Sequence, residues 1–298
     1  MSIPVATGRP LHAADAGPWR VARRRLARNR VSMFALGVVV LLVLVSLFAP
    51  LLAPYAPNAQ PDIVAMVRLP PSLAHPFGTD IFSRDVLSRV IYGSRISLGV
   101  ATLAIIVAMS VGTAYGAVAG YAGGTVDAVM MRIIDAMLAV PRILILLLTL
   151  GLSGSISLPL LVLTLGLTGW FGTSRLVRER VRALSRQDFA LAARAVGARD
   201  RRVLWRHVLP NALSPIIVAA TLGIGNVIVL EAALSYLGIG VRPPHASWGN
   251  IIQDGADQVG SAWWIALFPG LALLVTVIAF NLVGDALRDL LDPRLRGE

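Results

Sequence analysis

The chain has 298 residues, of which 56% are hydrophobic and 14% are charged, and its mean hydropathy is +0.73. Soluble domains carry about a quarter charged residues, so this composition excludes an ordinary soluble domain and is typical of a membrane protein with several spans. The sequence contains no Cys, which excludes disulfides and thiolate metal sites. All 27 basic residues are Arg, which excludes the lysine of a phosphate-binding P-loop.

The net charge of +11 is distributed unevenly along the chain. Seven arginines precede or begin the first apolar run, and ten more lie between Arg175 and Arg206. Arginine concentrated beside alternate apolar segments follows the positive-inside rule for membrane proteins. We therefore interpret the charge as orienting the protein in a membrane, and we expect membrane lipid but no nucleic acid as a partner.

Six apolar segments reach the length of about 20 residues that a membrane-spanning helix needs. They lie at about 32–53, 96–120, 128–150, 157–175, 212–238 and 263–287. No small-residue cleavage site follows the first, so we expect a retained anchor rather than a signal peptide. The sequence therefore predicts an all-α polytopic membrane protein with six transmembrane helices and, from the arginine distribution, both termini cytoplasmic.

This topology divides the chain into five parts. They are a cytoplasmic arginine-rich N-terminal segment at 1–31, the first transmembrane helix at 32–53, an extracytoplasmic loop at 54–94, a five-helix core at 95–287 with a cytoplasmic loop at 176–211, and a cytoplasmic tail at 288–298. The two arginine-rich stretches then fall on the same side of the membrane.

The outer loop contains six prolines between residues 54 and 76, which block helix formation and favour extended or turn structure. Asp80 or Ser83 is then predicted to cap a short helix with an apolar edge over residues 86–91. We interpret this segment as an interfacial helix that leads into the second span. A gate on the outer face is the alternative.

The second span carries Gly112, Gly116 and Gly120, a spacing of four that lets helix backbones approach closely in lipid. Packing against another helix of the same subunit is the main interpretation, and a subunit interface is the alternative.

Asp135 and Glu231 are the clearest ionisable residues at membrane depth, a location that indicates function by default. They lie on different helices, so they do not suggest a proton or ion relay, and their roles stay open. The four histidines are far apart, and no nucleophile motif occurs. We expect no catalytic residue, no metal site and no cofactor site in this chain.

The stretch DFALAARAVGARDRRVLWRHVLPN, residues 188–211, interrupts the apolar sequence. Asp188 is predicted to cap a helix whose apolar face carries Phe189, Ala192, Ala193 and Val196. Such a helix either lies flat on the membrane or docks against another protein. Membrane-lying helices usually bury Leu, Phe or Trp, so the small alanine face slightly favours docking.

The same stretch has a predicted turn and a predicted second helix. Gly197 fits the position after a helix C-terminus, where a left-handed conformation is preferred. Asp200 is then predicted to cap a short second helix, and Pro210 is predicted to end it before the fifth span.

Within this stretch, LAARAVGARDRRVLWRHVLP resembles the cytoplasmic coupling loop of ABC-importer permeases, EAA-x3-G-x9-I-x-L-P. The residues that match are Ala192, Ala193, Gly197, Leu209 and Pro210. Leu191 replaces the Glu and His207 the Ile, and both departures resemble the dipeptide/oligopeptide subfamily. Similar stretches are LFAPLLAPYAP, HPFGTDIFSRDVLSRVIYGSRISL, EAALSYLGIGVRPPHASWG and NLVGDALRDLLDPRL. From about Trp19 onward the chain is most similar to the C-type of the two permease subunits.

This resemblance implies a type I ABC importer permease fold in the bacterial plasma (inner) membrane. The implied partners are a second homologous permease subunit, one or two cytoplasmic ABC ATPase subunits that bind ATP and Mg, and an extracytoplasmic substrate-binding protein. This chain would be a transport subunit and not an enzyme. The implied ATPase-coupling residues are Phe189, Ala192, Ala193, Arg194, Val196, Gly197, Arg199, Asp200, Arg201, Arg202, Leu209 and Pro210.

Dipeptides or oligopeptides are the implied substrates. Nickel chelates, opines or glutathione are alternatives within the same architecture. An ion-coupled secondary carrier is the alternative from a different class, and it predicts an inverted repeat with broken helices. We find no convincing repeat in the sequence.

Overall fold

The computed structural model describes residues 29–154 and 156–291, and every regular element in these ranges is a helix. Most of the predicted N-terminal segment and most of the predicted tail therefore lie outside the described residues. The helices are α1 (Arg30–Leu47), α2 (Ala49–Leu52), α3 (Val86–Ala122), α4 (Gly124–Leu138), α5 (Arg142–Gly151), α6 (Leu158–Leu184), α7 (Asp188–Ala195), α8 (Asp200–Tyr236), α9 (Trp248–Ala256) and α10 (Trp264–Leu291).

Five of these helices, α1, α3, α6, α8 and α10, are long and apolar enough to cross a membrane. The predicted third span is divided between α4 and α5, which meet at an angle of 73°. Pro141 stands immediately before α5, and a proline at that position interrupts the hydrogen bonds of a continuous helix. The all-α membrane fold is confirmed, with five continuous spans and a sixth if the bent pair counts as one.

Helices α3 and α6 run parallel in close contact along the second half of α3. A Cβ atom added at Gly112 would lie 2.7 Å from the Thr173 Cβ, and one at Gly120 would lie 2.5 Å from the Arg178 carbonyl oxygen. A Cβ at Gly116 would meet the backbone of α6 between these two points. The three glycines of the second span thus face another helix of the same chain.

The two long loops at one end of the bundle contact each other. Asn58 Nδ2 donates to the Pro244 carbonyl oxygen at 2.8 Å, and Trp264 Nε1 donates to the Thr79 carbonyl oxygen at 3.1 Å. Following the predicted topology, residues 53–85 and 237–263 are termed the outer cap, and their end of the bundle is termed the outer end. The end that carries residues 185–208 is termed the inner end.

The second span begins earlier than its apolar sequence indicates. Helix α3 is continuous over 37 residues, so the predicted interfacial helix is its first two turns. Its N-cap is Asp85, whose Oδ2 accepts from the Ser88 amide at 2.7 Å. The prediction of Asp80 or Ser83 as the cap is wrong, because the Asp80 carboxylate binds arginines instead and Ser83 has a φ of +60°.

The fifth span also extends beyond its predicted start. Helix α8 is continuous from Asp200 to Tyr236 and contains one π-helical turn, Val203–Val208. Pro210 lies in the first α-helical turn after it, where a proline forfeits no necessary hydrogen bond. The prediction that Pro210 ends a separate helix is therefore wrong, because the π turn shifts the preceding carbonyls and lets the chain pass the proline without a break.

Candidate functional site

The arginine-rich insert, residues 185–208, forms the inner end between α6 and the membrane-spanning part of α8. Gln187 occupies the N-cap position of α7, and Asp188 is the first residue inside the helix. The predicted cap is therefore one residue off. The Asp188 carboxylate still lies in the first turn, where the partial positive charge of the helix N-terminus favours it.

Helix α7 ends as a Schellman motif at Gly197. The Ala198 amide donates to the Ala193 carbonyl at 3.1 Å, and the Gly197 amide donates to the Arg194 carbonyl at 2.9 Å. Gly197 has a φ of +86°, which a residue with a Cβ adopts only under strain. This tight turn fixes the angle at which α7 leads into α8.

The structure divides the predicted apolar face of α7 between two environments. Of the predicted residues, Ala193 is half-buried and packs against the small apolar core of the inner end, next to the fully buried Ala190, which was not predicted. Phe189, Ala192 and Val196 are exposed, and the Val196 side chain is 85% accessible. The free surface of α7 therefore carries an apolar patch formed by these three residues.

Two other predicted docking residues are engaged inside the chain. The Tyr121 hydroxyl at the end of α3 donates to Asp200 Oδ1 at 2.7 Å, and Arg194 Nε lies 3.4 Å from the same hydroxyl. The Arg194 guanidinium also lies over the Tyr121 ring, 5.1 Å from its centre. Tyr121, Arg194 and Asp200 form a clip, hereafter the inner clip, that fastens the insert to α3.

The remaining predicted coupling residues differ in accessibility. Arg199, Arg201 and Arg202 are exposed, make no ion pair within the described part of the chain, and line a shallow depression of about 390 Å³ with Trp205. This depression is an electropositive surface beside α7. Leu209 is buried in the inner core, whereas Pro210 is exposed.

Asp135 and Glu231 lie in separate parts of the bundle. Asp135 on α4 is half-exposed and forms an ion pair with Arg175 on α6. It lines a wide depression of about 670 Å³ near the inner end. Glu231 is fully buried near the outer end of α8. Among the described residues, no three His, Asp or Glu side chains come together as metal ligands.

A cluster of four charged residues joins the two halves of the outer cap, and sequence reasoning did not identify it. Arg84 contacts Asp80 at 2.6 Å and Asp254 at 2.8 Å, and Arg89 contacts the same two carboxylates at 2.5 and 2.7 Å. Burial lowers the pKa of Arg84, and the neighbouring Arg89 adds to this effect. The spacing of Asp80 and Arg84 was a visible signal, but nothing local pointed to Asp254, 170 residues away.

Two family descriptions match the sequence. Residues 112–297 match the binding-protein-dependent transport system inner membrane component family, and residues 17–71 match the N-terminal transmembrane domain of oligopeptide transport permease C. The first match includes Gly112, Gly116 and Gly120 of α3 and the whole insert. Together the two matches cover most of the chain.

Similar proteins are found in several bacteria. The dipeptide transport system permease protein DppC of Alkalihalophilus pseudofirmus is 40% identical over 281 residues, which is 94% of this chain and 91% of that protein. The oligopeptide transport system permease protein OppC of Bacillus subtilis is 37% identical over 93% of this chain and 90% of its own length. The glutathione transport system permease protein GsiD of Pectobacterium atrosepticum is 37% identical over 94% of this chain and 92% of its own length.

Proposed function

The chain belongs to the family of binding-protein-dependent transport system inner membrane components, and on that premise we propose that it is a permease subunit of an ATP-driven importer of dipeptides or oligopeptides. The proposed complex contains a second, homologous permease subunit, one or two ABC ATPase subunits and an extracytoplasmic substrate-binding protein. Its proposed location is the bacterial inner membrane, with both termini of this chain in the cytoplasm. The chemistry of ATP hydrolysis belongs to the ATPase subunits.

The observation that carries this proposal is the free face of α7 beside a depression lined by arginines. Exposed Phe189, Ala192 and Val196 give a smooth apolar surface that fits closely into a groove of an ATPase subunit. Arg199, Arg201 and Arg202 lie next to it with their charges available for acidic residues of that subunit. Complementary charge around an apolar contact fixes its orientation and excludes wrong partners.

The attachment of the insert explains how docking would drive transport. Helix α7 is joined to α6 by three residues, to α8 by the Schellman turn at Gly197, and to α3 by the inner clip. A displacement of α7 therefore moves three long helices together rather than bending a loop. Closure of the ATPase subunits on ATP would change the arrangement of these spans from inward-open to outward-open.

Peptides are the proposed substrates because relatives named for dipeptide and oligopeptide transport match nearly the full chain. The relative named for glutathione transport is as similar as the one named for oligopeptide transport, so glutathione, itself a modified tripeptide, is the second candidate. Uptake of labelled dipeptide, measured with competing glutathione and with competing tripeptide, distinguishes the two.

The docking proposal is tested by Ala192→Trp. Ala192 is exposed, so an indole there fits without disturbing the bundle but blocks close contact with a groove. We expect the ATPase subunits to be lost when the tagged complex is purified in mild detergent, and peptide uptake to fall at least about tenfold, which is the effect of losing about 1.4 kcal/mol of docking energy.

Two control variants separate docking from folding. Ala192→Ser keeps the face small, and Ala59→Trp adds the same indole to an exposed alanine of the outer cap; both should retain the ATPase subunits. Normal ATPase recovery and normal uptake in Ala192→Trp would contradict the assignment of α7 as the docking surface.

A further inference from the structure

Glu231 is a fully buried carboxylate at the junction of three helices, with no basic side chain in contact among the described residues. Its Oε1 accepts from the Ser235 hydroxyl at 2.7 Å, one turn further along α8. Its Oε2 accepts from the Ser97 hydroxyl at 2.9 Å, on α3. A buried polar group is costly unless hydrogen bonds compensate it, so the bonds from these two serines stabilise this side chain.

Each of the two serines also accepts a backbone N–H from the outer cap. The Val241 amide donates to the Ser235 oxygen at 2.9 Å, and the Trp248 amide donates to the Ser97 oxygen at 3.3 Å. A hydroxyl has one hydrogen, and neither serine has another acceptor within the described residues. Glu231 must therefore accept at both oxygens, and in doing so it turns the lone pairs of both serines towards the outer cap.

The bond from Val241 holds the loop before helix α9, and the bond from Trp248 holds the start of the helix. Trp248 is its first residue, so the Trp248 amide is one of the free N–H groups at the start of the helix, and the Ser97 oxygen that Glu231 orients accepts from it. The Trp248 ring is buried and its Nε1 donates to the Val90 carbonyl at 3.1 Å. A Cβ at Gly249 would lie 2.6 Å from the Ala232 Cα, so α9 starts in backbone contact with α8 beside Glu231.

We infer that Glu231 is a positioning residue for the outer entrance: through Ser97 and Ser235 it holds helix α9 and the loop before it, residues 237–247, against the outer ends of α3 and α8. This inference rests on the proposed function, in which the outer cap faces the side from which the substrate-binding protein would bind. Loosening α9 weakens the response to that protein and leaves ATPase assembly at the inner end intact.

The substitution that tests this is Glu231→Gln. The amide has the same shape but replaces one acceptor by a donor, so one serine hydroxyl is left without an acceptor. Stranding one buried polar group is expected to speed amide hydrogen exchange in α9 by about tenfold or more, when measured on the intact complex in nanodiscs. The binding-protein concentration that half-maximally stimulates ATP hydrolysis is expected to rise by about the same factor, while the basal hydrolysis rate stays unchanged.

Two further variants sharpen the test. Ser97→Ala removes the bond from the Trp248 amide together with the bond to Glu231, but it leaves the link through Ser235 to Val241, and it should reproduce the faster exchange in α9. The double variant of Glu231→Gln and Ser97→Ala should be no worse than the stronger single variant, because both changes break one chain of hydrogen bonds. Thr221→Val is the matched control, since its hydroxyl on the same helix donates only to the Ile217 carbonyl.

The outcomes separate the inference from the proposed function. Unchanged exchange in α9 in both Glu231→Gln and Ser97→Ala, or multiplied effects in the double variant, would overturn the positioning role. If no binding protein stimulates ATP hydrolysis by the complex that contains the unaltered chain, this result would count against the proposed function. The hydrogen-exchange data would still decide whether Glu231 holds α9.

Discussion

Gly116→Ala is expected to destabilise the bundle, whereas Gly99→Ala on the same helix is expected to stabilise it. A methyl group at Gly116 would lie 2.9 Å from the Val177 Cβ and would also meet the Ser174 carbonyl. Ordinary contact begins at 3.4 Å, so α3 and α6 would have to separate by at least 0.5 Å, the difference between these two distances. A gap of that size forfeits a quarter or more of the dispersion attraction for each contact, and overpacking of this kind costs about 1–3 kcal/mol.

Gly99 is the matched control because an added Cβ there meets nothing within 4 Å. Replacing glycine by alanine in an unobstructed helix interior stabilises by about 0.5–1 kcal/mol. The two variants should therefore differ by about 1.5–4 kcal/mol in free energy of unfolding, with opposite signs relative to the unaltered chain. The assay is reversible unfolding of the purified subunit by SDS in mixed micelles, followed by tryptophan fluorescence.

The same pair of variants decides between the two interpretations of the glycine spacing. If the glycines served a subunit interface, Gly116→Ala would leave the isolated chain as stable as Gly99→Ala does and would instead impair assembly with the second permease. An isolated Gly116→Ala chain at least as stable as the unaltered chain would refute the packing of α3 on α6 that the structure shows.

Two further changes probe the two ends of the bundle. Tyr121→Phe removes the hydroxyl that donates to Asp200 but keeps the ring. Exposed polar contacts contribute little stability, so this change should lower the free energy of unfolding by less than about 1 kcal/mol. It should nevertheless raise the ATP consumed per peptide imported. The Tyr115 hydroxyl donates to the Met130 carbonyl, and Tyr115→Phe should leave the ATP consumed per peptide unchanged. Equal effects of Tyr121→Phe and Tyr115→Phe would count against the inner clip as a transmitting contact. Asp80→Asn should cost about 3–5 kcal/mol of unfolding free energy, because it leaves two buried arginines short of one charge. The side chain of Asp254 is 21% exposed, so Asp254→Asn should cost less, and equal losses in the same SDS titration would contradict this ranking.

The spans and the turn at Gly197 were predictable because local physics determines them. About 20 apolar residues form a helix in lipid whatever surrounds them, since the backbone has no other hydrogen-bonding partner. Gly197 was identified by the preference of a helix end for a left-handed residue, and its φ of +86° agrees. Neither feature depends on a distant part of the chain.

The predictions that the structure contradicts concern positions whose contacts are determined by distant parts of the chain. Asp80 looked like a helix cap, but its carboxylate binds Arg84 and Arg89, and Asp85 takes the capping position. Asp254 is separated from Arg84 by 170 residues, and no local pattern pairs them. Likewise, the period of α7 indicated one apolar face, but the direction from which the inner core approaches decides that Ala193 is half-buried and Ala192 exposed.

Helix α3 has contacts at both ends of the molecule. Its 37 residues correspond to a rod of about 55 Å at the usual rise of 1.5 Å per residue. At the outer end Arg89 and Ser97 join it to the outer cap, at the inner end Tyr121 joins it to the insert, and the glycines between hold it against α6. Because α3 is unbroken and packed against α6, we expect a shift of the insert to be transmitted towards the outer cap. Variants at Ser97 should therefore alter the response to the proposed binding protein without loss of the proposed ATPase subunits. Tyr121→Phe should alter the amount of peptide imported per ATP without changing the affinity for the binding protein. Gly116→Ala, which separates α3 from α6, should impair both the response to the binding protein and the import per ATP.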